Sequence, residues 1–197
     1  MRYYSDTTPW HMGGKKVQVT ENNDHLGQIV SGINQEQKNI DLRITKGRNN
    51  LFGLLGPAFS FKCLLSPKLK YHLFRTYTCH ILLSGLSSFS LRTPSLQSLT
   101  MLHRKTLRGI LTLSKSSNIP ALHFLLGELP IEAKLHKDVF SLFYSVWSNP
   151  DSKIYSILKY LLESSSENSR TWAIHLRYLS QKYDLSASKI IHLQRLH

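Results

Sequence analysis

Acidic residues are missing from the middle of this 197-residue sequence: between Leu42 and Gly127 there is no aspartate or glutamate. Twelve cations occupy the same stretch, namely Arg43, Lys46, Arg48, Lys62, Lys68, Lys70, Arg75, Arg92, Arg104, Lys105, Arg108 and Lys115. They account for twelve of the thirteen net positive charges, while the flanks carry 13 cations against 12 acids. A surface that merely keeps a protein soluble mixes both signs, because a one-signed field repels itself. The imbalance points to an acidic partner, nucleic acid before an anionic membrane.

Other shortages narrow the choice further. Two cysteines, Cys63 and Cys79, are too few for a disulfide framework and fit a reducing intracellular compartment, nucleus or cytoplasm. The first twenty residues hold no apolar core with a cleavage site, so no signal peptide is expected. The longest apolar stretch, His80 to Phe89, is far short of the roughly 20 residues of a membrane span, and no membrane partner is expected.

Carboxylates are scarce where chemistry would want them. The twelve acids include no adjacent pair, and the sets Glu128/Glu132 and Glu163/Glu167 stand four apart on helical segments. That spacing reads as a solvated face with local ion pairs rather than a two-metal centre. Cys63, His72, Cys79 and His80 match no paired-cysteine knuckle or finger, so they read as ordinary helix residues. No glycine-rich phosphate loop occurs, and none of the ten histidines has a carboxylate or nucleophile at motif distance. No cofactor and no catalytic residue is therefore expected.

What the chain does contain is periodicity. Val17 and Val19 alternate with polar residues in "GGKKVQVT", which predicts a strand; "ENND" predicts the turn and "DHLGQIVSG" the returning arm. From Ile33 the period becomes helical. Ile33, Ile40, Ile44, Leu51, Leu54 and Leu55 make one stripe flanked by Arg43, Lys46 and Asn50, with a kink expected at Gly47 and a stop at Gly56-Pro57.

The next helix starts at Ser66-Pro67, an N-cap followed by a proline whose missing N–H costs nothing there. Its predicted buried stripe is Leu69, Leu73, Tyr77 and Ile81, with Lys68, Tyr71, Arg75 and Thr78 outside. A third helix follows Thr93-Pro94, where Leu96, Leu99, Leu102, Leu107, Ile110 and Leu113 oppose Arg104, Lys105 and Arg108, continued by Lys115. Further helices follow Pro120, Pro130 and Pro150, and Leu135, Val139, Leu142, Phe143, Val146 and Trp147 form core or a docking face for another protein.

The succession "DHLGQIVSG", "KNIDLRITKGRNNLFGLLG", "SPKLKYHLFRTYTCHILLSGL" and "LHRKTLRGILTLSKSSNIPALHFLLGELPIEAKLHKDVFSLF" resembles the end of the reverse transcriptase of non-LTR (LINE-type) retrotransposons. The resemblance covers residues 15 to 185 approximately. It implies a primer grip at His25, Leu26 and Gly27, the edge of a palm sheet, followed by a helical thumb that clasps a template–primer duplex. The aspartate-bearing part of the palm, with its Mg²⁺, would then lie upstream of this chain. The missing palm and fingers portion is a further expected partner.

The expected architecture is thus mainly α: a palm remnant at 1–32, a thumb-like helical region at 33–113 and a C-terminal helical extension at 114–197. The expected function is that of a reverse transcriptase fragment, not an enzyme on its own, which binds nucleic acid duplex or RNA·DNA hybrid. Arg43, Lys46, Lys68, Arg75, Arg104, Lys105, Arg108 and Lys115 would contact phosphates, and Tyr71 would stack on a base or sugar. The competing expectation is a helical interaction module whose charge is incidental.

Overall fold

The computed structural model describes residues 11–16, 22–25, 27–31, 34–54, 65–91, 93–164 and 171–185. The chain divides into two compact units, residues 1–35 and 36–197. It is mainly helical, with seven helices among the described residues and antiparallel hairpin structure at the N-terminal end.

In the first unit β1 (His11–Met12) pairs with β2 (Lys15–Lys16) across Gly13 and Gly14, and β3 (Asn22–His25) pairs with β4 (Gln28–Ser31). The register of the second pair sets Asn23 opposite Val30 and His25 opposite Gln28. This corrects the expected hairpin. The polar "ENND" segment enters a strand, and the chain reverses between His25 and Gln28, where Gly27 takes φ +75°. A two-residue hairpin loop needs the positive φ that glycine adopts without strain, whereas a run of Asn and Asp can also pair along an exposed edge. Residues 17–20 of the expected first arm, and Leu26, lie outside the described residues.

In the second unit α1 runs from Gln35 to Leu54 without interruption at Gly47. The glycine is buried because Leu82 lies across it: an added Cβ would fall within the Leu82 side chain, 2.9 Å from Cγ. The expected kink is instead a point of close helix approach. Helix α2 begins as Pro67–Leu73, passes into π-helical Phe74–Cys79 and closes as His80–Leu83. Ser66 caps it as expected, its Oγ accepting from the Leu69 N–H at 3.3 Å.

The buried face of α2 is Lys70, Tyr71, Phe74, Thr78, Cys79 and Leu82, whereas Leu69 and Tyr77 are exposed. The expected stripe is therefore on the wrong side. A π-segment bonds i to i+5 and so holds one residue more per turn, which rotates every later side chain relative to a 3.6-residue count. Thr78 Oγ1 donates to Asn50 Oδ1 at 2.8 Å and fastens this face to α1.

Helix α3 (Thr93–Ile110) keeps its leucine stripe, with Leu99, Leu107 and Ile110 buried and Leu96 and Leu102 packed at the margin. Leu113 stands exposed beyond its end. Helix α4 (Ile119–Leu126) is capped by Asn118 and ends at Gly127, φ +58°. Then come α5 (Ile131–Trp147), α6 (Lys153–Ser164) and α7 (Trp172–Lys182).

Two cores result. The larger gathers Ile40, Ile44, Phe74, Leu82, Leu99, Leu107, Ile110 and Leu122, with Ile131 and Leu135 from the start of α5. The smaller gathers Val139 and Phe143 from the later turns of α5 with Leu158, Leu176 and Leu179. Helix α5 thus serves both, and Trp172 Nε1 donates to the Ser87 carbonyl at 2.8 Å to tie α7 back to the turn after α2.

Gly47→Val should lower stability by about 1–3 kcal/mol through overpacking against Leu82. Gly53→Ala, in open space on the same helix, should raise it by up to about 1 kcal/mol. Urea midpoints of the two variants would have opposite signs relative to the parent chain; equal signs would misplace the α1–α2 contact.

Candidate functional site

The basic residues of the middle region divide between exterior and interior. Lys46, Lys68, Arg75, Lys105 and Lys115 are exposed, and Arg104 and Arg108 are half-buried. Arg108 Nη2 donates to the Ser117 carbonyl at 3.3 Å, which engages part of its guanidinium within the fold. Arg43 and Tyr71 are buried, and this corrects their expected roles. Tyr71, 9% exposed, sits in the core beside Phe74 and offers no face for a base to stack on. Arg43 faces inward because α1 buries Asn39, Ile40, Arg43 and Ile44 along one side.

A groove between α1 and α3 holds what the surface offers instead. It has a volume of about 400 Å³, an apolar floor including Ile44, Leu51 and Leu102, and Arg48 and Lys105 among its walls. Phe52, 72% exposed, and Met101 stand at the same groove. Arg75 lines a different cleft, and Arg104 a third. Of the expected primer-grip residues, His25 ends β3 with its side chain exposed, Gly27 forms the turn, and Leu26 lies outside the described residues.

The densest chemistry is interior. Cys79 from α2, His103 from α3 and Glu128 from the turn between α4 and α5 are all buried, and one ligand atom of each lies within 4.8 Å of the others. Glu128 is 5% exposed and forms an ion pair with Lys134 of α5; Lys134 Nζ also lies 4.0 Å from Cys79 Sγ. His103 Nε2 is 3.8 Å from Glu128 Oε1. His123 of α4 stacks near the His103 ring at 5.9 Å between centroids, and its Nδ1 hydrogen-bonds the Glu128 carbonyl at 3.1 Å. Neither ring nitrogen of His103 has a hydrogen-bond partner among the described residues.

Burial governs the protonation of this group. It pushes the Glu128 carboxyl up to about 7 and pulls the Lys134 ammonium down, so acid and base approach one another. Burial, reinforced by the charges of Lys134, His123 and Arg104, drives His103 down to about 3, and burial raises the Cys79 thiol. Cys79, Glu128 and Lys134 reach a cleft of about 640 Å³ walled also by Arg75, His80, Lys137 and Asp138.

Glu128 was expected on a solvated helix face; it lies instead in the interior, and only Glu132 keeps a surface ion pair, to Lys182 at 3.0 Å. The expectation for Cys79 as a helix residue without histidine neighbours at motif spacing missed His103, 24 positions away. His72 and His80 are exposed, and Cys63 lies outside the described residues. One signal was available: His103 occupies the row Leu99–His103–Leu107 of the leucine stripe, where an ionisable ring must be buried.

No protein-family model matches the chain, and comparison with curated proteins and with solved structures gives no match either.

Because the folded His103 refuses a proton until about pH 3, the unfolded chain gains protons first as pH falls below its ordinary value near 6.5. Stability contributed here is present above pH 6.5 and is lost as pH drops. Relative to His103→Leu, the parent chain should lose up to about 2 kcal/mol more between pH 6.5 and 5, with Glu128 affecting both chains alike. Parallel stability curves in chemical denaturation would place His103 at the surface.

Proposed function

We propose that this chain acts as a nucleic-acid grip, the primer-grip and thumb part of a non-LTR retrotransposon reverse transcriptase. It binds duplex or RNA·DNA hybrid through phosphate contacts, and the grip itself supplies no catalytic carboxylates. The observation that carries the reading is the absence of any acid between Leu42 and Gly127, together with the exposure of Lys46, Arg48, Lys68, Arg75, Lys105 and Lys115 along that stretch. A polyanion meets no repulsion from those helices, and each phosphate neutralised releases a counterion.

The groove between α1 and α3 supports the reading with a second feature. Arg48 and Lys105 can hold a backbone while Phe52, exposed beside them, offers the π-face that Tyr71 lacks. Contacts of this kind are tolerant of sequence, as a polymerase thumb requires. No helix among the described residues is long and apolar enough to cross a membrane, so the positive surface is open to a polyanion rather than to a bilayer core.

A second reading has its own observation. Ile154, Ile157 and Tyr160 make an exposed apolar row on α6, which suits a helical module that docks on another protein. Binding to nucleic acid separates the two.

Affinity for a fluorescent RNA·DNA hybrid, measured by anisotropy over a range of salt, should fall with a log–log slope of several units. Arg48→Gln with Lys105→Gln should reduce that slope by about 2, while Lys159→Gln on α6 leaves it unchanged. Phe52→Ala should weaken binding by about 1–3 kcal/mol without altering the slope. A flat salt response of the parent chain would leave only the docking module.

A further inference from the structure

We propose that Cys79, His103 and Glu128 form a binding site for a zinc-class divalent cation, with a fourth position open to the cleft beside α2 and α5. The donor set is one sulfur, one imidazole nitrogen and one carboxylate oxygen, the mixture a borderline-soft tetrahedral ion takes and a magnesium site does not. Three protein ligands with one open position is the arrangement of zinc sites that keep a place for water or a substrate atom.

The distances suit it. Zinc–ligand bonds of about 2.0–2.3 Å put the ligand atoms of a tetrahedron roughly 3.3–3.7 Å apart. His103 Nε2 and Glu128 Oε1 already stand 3.8 Å apart, and the three ligand atoms need only draw in from within 4.8 Å. The three residues come from α2, α3 and the turn before α5, elements locked together by the larger core, so the site is held by rigid packing rather than by loops.

The second observation is His103 itself. It is 1% exposed, both its ring nitrogens lack partners, and it is aimed at the Glu128 carboxylate. A buried imidazole with neither nitrogen satisfied costs about 1–3 kcal/mol, and coordination removes that cost at one of them. Its neutrality is what a metal ligand needs, since the lone pair is free.

Lys134 explains how the cluster stands without an ion. Its ammonium lies against Glu128 and 4.0 Å from Cys79 Sγ, so a single positive charge holds the position where a divalent one would sit. When the ion enters, the Cys79 thiol releases its proton, the thiolate and carboxylate balance the two charges, and Lys134 moves toward the cleft. Asp138, four residues on along α5 and a wall of the same cleft, attracts it there. Arg75, His80 and Lys137 around the cleft suit an anion at the open position.

The test uses the full chain, stripped with a chelator and titrated with Co²⁺ and then Zn²⁺. One Co²⁺ per chain should bind with tetrahedral d–d bands and a thiolate-to-cobalt charge-transfer band, and Zn²⁺ should displace it and raise Tm. Cys79→Ser should abolish the charge-transfer band while Cys63→Ser retains it, with circular dichroism confirming that both keep their helices. Lys134→Met, which removes the competing ammonium, should tighten Zn²⁺ binding by roughly tenfold, the scale on which groups beside zinc ligands act. A band that survives Cys79→Ser, no stoichiometric binding by the parent and Lys134→Met chains, or an affinity unmoved by Lys134→Met would overturn the site.

Discussion

The Glu128–Lys134 pair, buried where α2, α3, α4 and α5 meet, is the interaction on which the larger core depends. Glu128 is the first acid after the long acid-free stretch, and the fold spends it inside rather than on the surface. Removing a carboxylate and an ammonium from water costs several kcal/mol, which only close pairing and further polar contacts offset. The surroundings supply them: Cys79 faces the ammonium, His103 faces the carboxylate, and the backbone carbonyl of the same glutamate fixes His123. One turn of chain between two helices thereby sets the positions of four.

The same choice shapes the surface. With the acid of that region withdrawn, the exposed cations of α1, α2 and α3 face solvent without neutralising neighbours in sequence, and the field they produce is of one sign. The cations form no single strip. Arg48 and Lys105 line one groove, Arg75 the cleft that Glu128 reaches, and Arg104 a third recess beside α7. A nucleic acid that engages the α1–α3 groove meets two cations and an exposed ring, while the cleft over the buried cluster is smaller in outlook and suited to a small anion. The phosphate-gripping face and the metal-ligating interior therefore occupy different sides of α2 and α3.

Much of the helical layout was legible in the sequence because capping residues and prolines mark helix starts: Ser66-Pro67, Asn118 with Pro120, and Pro130 all stand where helices begin. The leucine row of α3 was legible for the same reason, since a strict period leaves one face to bury. The face of α2 was not, because its π-segment changes the period partway along, and Tyr71 passed from supposed stacking platform to core. The hairpin reversed at Gly27 because a two-residue turn with positive φ competes well against a polar run that can also pair. Arg43 was misplaced because a long side chain at the edge of a stripe can lie along the core as readily as away from it. The buried cluster was out of reach altogether. Cys79, His103, Glu128 and Lys134 belong to separate elements, and no local spacing encodes their meeting.

A double-mutant cycle on Glu128→Gln and Lys134→Met measures the central interaction most directly. If the pair holds the junction together, each single substitution should cost about 3–5 kcal/mol by stranding the other partner, and the double variant should recover more than about 1 kcal/mol of the summed loss. Losses that add to within about 0.5 kcal/mol would mean that the two side chains do not stabilise one another, and would contradict the account.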